Sequence, residues 1–334
     1  MASVKTSHTT IGVVGATGLV GLNVLELLSA EELKTTKVCA SNSSVGKKLK
    51  INDCELTLEK LRPEFFKDMQ FAFFCATSDI AKKWAPIAVK YGCTVIDNSS
   101  QYRMTKPLVV PELNIEKAKL NDIIANPNCS TIILCMVLGP LSKLSSFERV
   151  DVSTYQAVSG AGKNGLAELK NQTTSYVVGL KSPKPECFKS KIYNNCFSHD
   201  SDIGGSGYNG EELKMIKETT KILNTSFDIS ATCIRIPVER AHCESVTIRF
   251  RKPVKENDIR KTLEKAENII VEDDREKNKF PEPLKVSGQH KIMVGRIRRD
   301  FYDDSGKVYH MFISGDQILK GASYNAWQIY KHFV

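Results

Sequence analysis

The sequence has no unbroken apolar stretch near the about 18 residues that a membrane-spanning helix needs, so no bilayer span is expected. Its opening, MASVKTSHTT, lacks the apolar core of a secretory signal, and a cytoplasmic chain is expected. The ten cysteines include no CxxC pair, which argues against zinc-type spacing, and no metal is expected. There is no block of about five or six like charges. An RNP motif and basic-aromatic interleaving are also missing, so nucleic acid is not an expected partner. No internal repeat or low-complexity tract is visible.

What is present is a globular composition. The chain has 334 residues, 41% apolar and 25% charged, enough for two hydrophobic cores. Lys and Arg number 47 against 38 Asp and Glu, a net charge of +9 spread along the chain. Such a spread excess suits anionic small molecules. Most cysteines sit in apolar runs, such as Cys75 in QFAFFCA and Cys135 in IILCMVL, as free thiols do in a reducing compartment.

The first third alternates short apolar strands with helices. Strands are expected at 10–14, 37–40, 70–76, 93–97 and 122–126, with helices at 22–33 and 81–92. That alternation indicates a parallel sheet. After Cys129 an apolar helix, STIILCMVLGPL, leads to longer period-two strands at 150–158, 230–238, 243–251, 290–299 and 307–314. These suggest a mixed or antiparallel sheet. NGEELKMIKETTKIL is an amphipathic helix, 264–284 reads as helix plus exposed loop, and 316–331 as a final helix.

Gly15, Gly18 and Gly21 lie between the first strand and its helix. Backbone N–H groups at such a turn can face a pyrophosphate; the other reading is a tight turn without ligand. The end of the second strand carries Ser41, Asn42, Ser43, Ser44, Lys47 and Lys48, with no carboxylate for a ribose hydroxyl. This composition favours a 2′-phosphate, hence NADP, although an ordinary polar loop would look the same.

Pro127 in NPNC holds Asn126 extended, which puts Cys129 at or near a helix start. The positive end of a helix dipole favours a thiolate nucleophile; a packed cysteine is the alternative. Of six histidines, His242 follows a long strand at a turn and can point into a cleft, or it is a surface turn histidine. His199, in FSHDSD, reads as a loop residue, and His8 and His332 lie near the termini.

GATGLVG, NSSQYR, NPNCST, QAVSGAG, EELK and RIPVERAH follow one another in order. The series resembles the aspartate-semialdehyde dehydrogenase family along nearly the whole chain. The resemblance implies an α/β fold: an N-terminal Rossmann-like parallel-sheet domain over 1–129 and an α+β catalytic and dimerisation domain with a mixed sheet over 130–315. A helix within 316–334 would pack back on the first domain. It implies NADPH-dependent reductive dephosphorylation of L-4-aspartyl phosphate to L-aspartate 4-semialdehyde, serving lysine, diaminopimelate, threonine and methionine biosynthesis. Cys129 would form the thioester, His242 act as acid and base, and Gln156 position the acyl group. Arg103, Asn128 and Lys214 would surround phosphate, Arg235 would pair with the substrate carboxylate and Glu211 with its amino group. Gly15, Thr17, Gly18, Leu19, Val20, Ser41, Ser43, Ser44, Ser159, Gly160, Gly162 and Asn325 would hold the cofactor. Many members carry arginine at the position of Ser43, so NAD remains a weaker alternative. A homodimer or homotetramer is implied. The competing readings are an N-acetyl-glutamyl-phosphate reductase-like enzyme, whose substrate gives Glu211 no ammonium to bind, and a catalytically idle NADP-binding dimer acting as a sensor.

Overall fold

A computed structural model describes residues 9–334. His8 lies outside the described residues. The chain forms two compact units, one of residues up to Asn128 together with Ala322–Val334, the other Cys129–Gly321.

The first unit opens with β1 (Ile11–Val14), α1 (Leu19–Leu27), α2 (Ala30–Lys34) and β2 (Thr36–Cys39). β3 (Lys48–Ile51) and β4 (Cys54–Glu59) form a hairpin. β5 (Phe71–Phe74), α3 (Ser78–Lys90), β6 (Thr94–Asp97), α4 (Pro111–Asn114) and β7 (Ile123–Ala125) follow. The sheet order is β3-β4-β2-β1-β5-β6-β7, parallel except for the β3–β4 pair. Every residue of β1, β5, β6 and β7 is buried. Their apolar runs are continuous because both faces are covered. Ile11, Val13, Phe71 and Phe73 pack with Val24 and Leu25 of α1, whereas Val14, Ala72 and Phe74 pack with Ala81, Ala85 and Ala88 of α3.

The single helix expected at 22–33 is two helices. Ser29 accepts from the Glu32 main chain at 3.2 Å, and Glu32 accepts from the Ser29 main chain at 2.7 Å. This reciprocal cap starts α2 afresh and stops α1. The β3–β4 hairpin was not anticipated.

The second unit begins with α5 (Cys129–Leu141) and β8 (Phe147–Gln156), then α6 (Gly162–Val177), β9 (Phe197–Ser198), α7 (Gly210–Leu223) and β10 (Asp228–Arg235). It ends with β11 (His242–Phe250), α8 (Glu256–Glu264), β12 (Ile269–Val271), α9 (Pro283–Val286), β13 (Ile292–Arg299) and β14 (Val308–Gly315). The order is β12-β13-β14-β11-β8-β10-β9. β8 runs parallel to β10 and antiparallel to β11, so the sheet is mixed. Val150, Val152, Thr154 and Gln156 of β8 are buried, while the alternate Asp151, Ser153 and Tyr155 are half-buried. That alternation is the mark of a sheet packed more heavily on one face. α5 is buried along most of its length, which explains its apolarity on all sides.

Two further expectations are corrected. The helix expected within 264–284 ends where that span begins, at Glu264, and β12 occupies 269–271. The final helix is shorter than 316–331: Asp316 accepts from the Ile318 and Leu319 main chains, Leu319–Ser323 wind as a π-helical turn, and α10 runs Tyr324–Lys331. α10 belongs to the first unit. Its Tyr330 stands edge-on to Phe71 and Phe73, with ring centroids 5.0 and 5.8 Å away, and donates to Glu32 at 2.7 Å. Among the described residues no helix is long and apolar enough to cross a membrane.

Candidate active site

Three residues are brought together by strand ends in the second unit. Gln156 is the last residue of β8, Arg235 the last of β10, and His242 the first of β11. Arg235 is in register with Gln156 across the parallel pair. β10 stops there because Pro237 follows and has no N–H for the ladder. All three side chains are buried.

His242 is therefore a strand residue with no exposed surface, not a turn histidine. Its Nδ1 accepts from the Ala157 N–H at 3.0 Å. Its Nε2 is buried and has no hydrogen-bond partner among the described residues. Burial, with Arg235 adding like charge, pushes the imidazole pKa down to about 3. The ring is neutral at pH 7. With Nδ1 committed as acceptor, its proton sits on Nε2.

Gln156 donates from Nε2 to Glu211 at 3.2 Å and accepts from Thr154 at 3.0 Å. Lys214 donates to the other Glu211 oxygen at 2.9 Å. This i,i+3 pair is half buried: the Glu211 side chain is 6% exposed and that of Lys214 36%. Glu211 lies in the first turn of α7, whose start is fixed by a capping box between Asn209 and Glu212. A carboxylate there is also favoured by the helix dipole.

Arg235 donates from Nη1 to the Ala157 carbonyl at 2.7 Å and lies over the Phe188 ring at 5.5 Å. Its Nε is buried without a hydrogen-bond partner among the described residues. Burial, the largest influence, lowers the guanidinium pKa, and Asp200 and Glu211 oppose that. A buried, under-used guanidinium is equipped to take a carboxylate. Gly160 lies against this pair: a Cβ there would stand 3.1 Å from Arg235 Nη1 and 3.3 Å from His242 Cε1. Ser159 is buried and accepts from Gln317, whose Oε1 accepts from Ala241 N at 2.8 Å. Gly162 opens α6 with φ +77°.

Cys129 is the first residue of α5 and lies within electrostatic reach of Arg235. A Cβ at Gly321 would come within 2.9 Å of Cys129 Cβ, so the π-helical turn presses its backbone against the thiol residue. At Cys39, Cys75, Cys135, Cys233 and Cys243 burial raises the thiol pKa, as suits packed cysteines.

The first unit carries the other predicted residues. Gly15 has φ +88°, and a Cβ there would meet the Cys75 carbonyl at 2.3 Å. A Cβ at Gly21 would meet the Gly15 carbonyl at 2.3 Å. Only glycine permits this strand-to-helix turn. Thr17 and Gly18 lead into α1, where Leu19 and Val20 supply first-turn N–H groups. The Gly15 and Ala16 N–H groups donate to the Cys39 carbonyl, which ties the loop to the end of β2. Just beyond, Ser41 Oγ is 2.9 Å from Ser43 Oγ and 3.3 Å from Ser44 Oγ. A glycine turn, a helix start and these hydroxyls fit a nicotinamide dinucleotide.

Arg103 and Asn325 are more committed than expected. Arg103 is buried and donates to the Asn126 and Asn98 carbonyls, each at 3.0 Å. Asn325 has no exposed surface and spends both Nδ2 hydrogens on Val109 O and Asn126 Oδ1. Both brace the segment that ends in Asn128, itself buried. His199, Ser201, Gln317 and Gly321 were not anticipated. His199 lies beside Arg235, and no periodicity or motif in FSHDSD signals it.

Residues 10–121 match a family model described as the semialdehyde dehydrogenase NAD-binding domain, and 138–320 match the semialdehyde dehydrogenase dimerisation domain. An aspartate-semialdehyde dehydrogenase of Campylobacter jejuni is 41% identical over 96% of this chain and 95% of its own. One from Prochlorococcus marinus is 40% identical over 96% and 94%. The crystal structure of aspartate semialdehyde dehydrogenase II of Vibrio cholerae, complexed with ASA, is 34% identical with a TM-score of 0.91, covering 98% of both chains. The likeness thus runs through both units and nearly the whole chain, and the chain belongs to the aspartate-semialdehyde dehydrogenase family.

Proposed function

We propose that the protein catalyses NADPH-dependent reductive dephosphorylation of L-4-aspartyl phosphate to L-aspartate 4-semialdehyde, and the reverse reaction, as a cytoplasmic homodimer in amino-acid biosynthesis. The observation that carries this reading is the chain Lys214–Glu211–Gln156 beside buried Arg235 and His242. It offers a carboxylate for an ammonium, a guanidinium for a carboxylate, and a lysine for a phosphate. A substrate bearing all three groups fits it. An N-acylated substrate would leave Glu211 without an ammonium.

The Cys129 thiolate attacks the acyl carbon, the C–S bond forms, and the bond to phosphate breaks. Lys214, Arg103 and Asn128 meet the departing phosphate. Covalent attachment divides one hard reduction into two easier steps. Bound NADPH supplies the hydride that reduces the thioester carbon. The tetrahedral alkoxide on Cys129 accepts a hydrogen bond from the Nε2–H of neutral His242. When the carbonyl reforms, the C–S bond breaks and Cys129 leaves as thiolate. Arg235 and Glu211 hold the amino-acid head throughout, and Gln156 orients the acyl group.

Gly15, Thr17, Gly18, Leu19 and Val20 hold the pyrophosphate and Ser41, Ser43 and Ser44 the 2′-phosphate, which favours NADP over NAD. Ser159, Gly160 and Gly162 line the nicotinamide side.

The deciding assay is the initial rate of NADP reduction with aspartate semialdehyde plus inorganic phosphate, repeated with NAD. Phosphate-dependent turnover that disappears in Cys129→Ala is expected. Full turnover in Cys129→Ala would falsify the thioester route.

A further inference from the structure

Arg235 Nη2 lies 2.8 Å from His199 Nε2. A guanidinium has donors only, so Nε2 must be the acceptor. A neutral imidazole with Nε2 as acceptor carries its proton on Nδ1. The Ser201 N–H points at Nδ1 from 3.2 Å, and Ser201 Oγ lies at the same distance. A neutral ring accepts at one nitrogen only; the shorter, charge-assisted contact from the Arg235 guanidinium takes Nε2, so Nδ1 donates to Oγ and does not accept from the main chain.

The hydroxyl's remaining capacity closes the network. Ser201 Oγ donates to Asn209 Oδ1 at 3.3 Å and accepts from the Glu211 N–H at 3.0 Å. Asn209 is the N-cap of α7, the helix that carries Glu211 and Lys214. An unbroken series of donors and acceptors therefore runs from the Arg235 guanidinium through His199 and Ser201 to the backbone of Glu211.

We infer that His199 is a positioning residue for the amino-acid head of the substrate. As a neutral Nδ1–H imidazole it sets the orientation of Arg235 and ties it to the start of α7, fixing the spacing between the groups proposed for the carboxylate and the ammonium. This rests on the reading of Arg235 and Glu211 under Proposed function. The surroundings suit a neutral ring. The side chain is 12% exposed, and burial is the largest influence lowering its pKa. Glu211 and Asp200 oppose that; Arg235 and Lys214 reinforce it. His242 is the other titratable neighbour. An imidazolium would turn an acceptor into a donor facing Arg235.

Two variants and one spectroscopic measurement test the inference. His199→Phe keeps a ring and removes the acceptor. KM for aspartate semialdehyde should rise about tenfold or more, with kcat and the KM for phosphate and NADP within about threefold. His199→Gln restores an acceptor for Arg235 and should recover most of that KM. In the wild-type protein, imidazole 15N shifts should show His199 as the Nδ1–H tautomer, assigned by the loss of its signals in His199→Gln. An unchanged KM in His199→Phe, a defect confined to kcat, a glutamine variant as impaired as phenylalanine, or an Nε2–H tautomer would each overturn the proposal. If the wild type turned over no aspartate semialdehyde, the reaction reading would fall, while the tautomer would still decide the Arg235–His199 bond.

Discussion

The Ala157 N–H donates to His242 Nδ1 at 3.0 Å, and this single bond decides which nitrogen of His242 carries the proton. It makes the resting side chain a hydrogen-bond donor at Nε2. His242→Gln should lower kcat about 100-fold or more and leave KM within about threefold, as measured by initial rates. A kcat within a few-fold of wild type would remove His242 from the chemistry.

The same burial has a cost in acid. The His242 pKa is about 3 in the folded protein against 6.5 ordinarily, so the unfolded chain binds more protons between these values. The His242 contribution to stability is full above pH 6.5 and is lost as pH falls toward 3. In chemical denaturation, wild type should lose stability faster than His242→Gln across that window.

Glu244, two residues along β11, works in the opposite direction. It is fully buried, neither carboxyl oxygen has a hydrogen-bond partner among the described residues, and burial raises its pKa well above 4.5. Here the folded protein holds the extra proton. The contribution is full below pH 4.5 and lost as pH rises through the folded pKa. Glu244→Gln, nearly isosteric and uncharged, should have the higher Tm at pH 8, with the difference shrinking toward pH 4. Equal Tm values at both pH values would mean that the carboxyl does not titrate as its burial requires.

Gly321 tests the placement of Cys129. The 2.9 Å approach of an added Cβ to Cys129 Cβ leaves no room for a methyl group. Gly321→Ala should reduce kcat about tenfold or more by displacing the thiol, with the far-ultraviolet circular dichroism unchanged. Wild-type kcat would show that the turn yields freely.

Cofactor choice is testable at Ser43, which is exposed at the end of β2. Ser43→Arg adds a bidentate phosphate ligand and should raise the ratio of kcat/KM for NADP over NAD about tenfold. A ratio moved toward NAD would place the ribose elsewhere.

Much of the fold could be read from the sequence where one physical cause dominates. IGVV, FAFF and TVID are strands buried on both faces, and continuous apolar runs announce them. NPNC announces a helix start, and α5 begins at Cys129 itself. The β3–β4 hairpin was hidden because KLKI and CELTLE mix charge with apolar residues at a sheet edge. The break at Ser29 was hidden because apolar spacing runs on through a local capping box. The candidate site could be proposed only through its ordered motifs. No spacing in the chain says that Gln156, Arg235 and His242 end on neighbouring strands. His199 escaped because its position depends on β9 pairing with β10, Arg235 opposite Phe197. Two residues of strand leave no periodic signal.

The last helix of the chain, α10, completes the first unit, so the second unit is an insertion within the first. Synthesis therefore delivers Phe71 and Phe73 long before Tyr330, the aromatic that covers them. On the ribosome the amino-terminal sheet must wait, with part of one face bare, while the inserted unit is made. A carboxy-terminal truncation as short as α10 would strip the oldest part of the protein, not the newest.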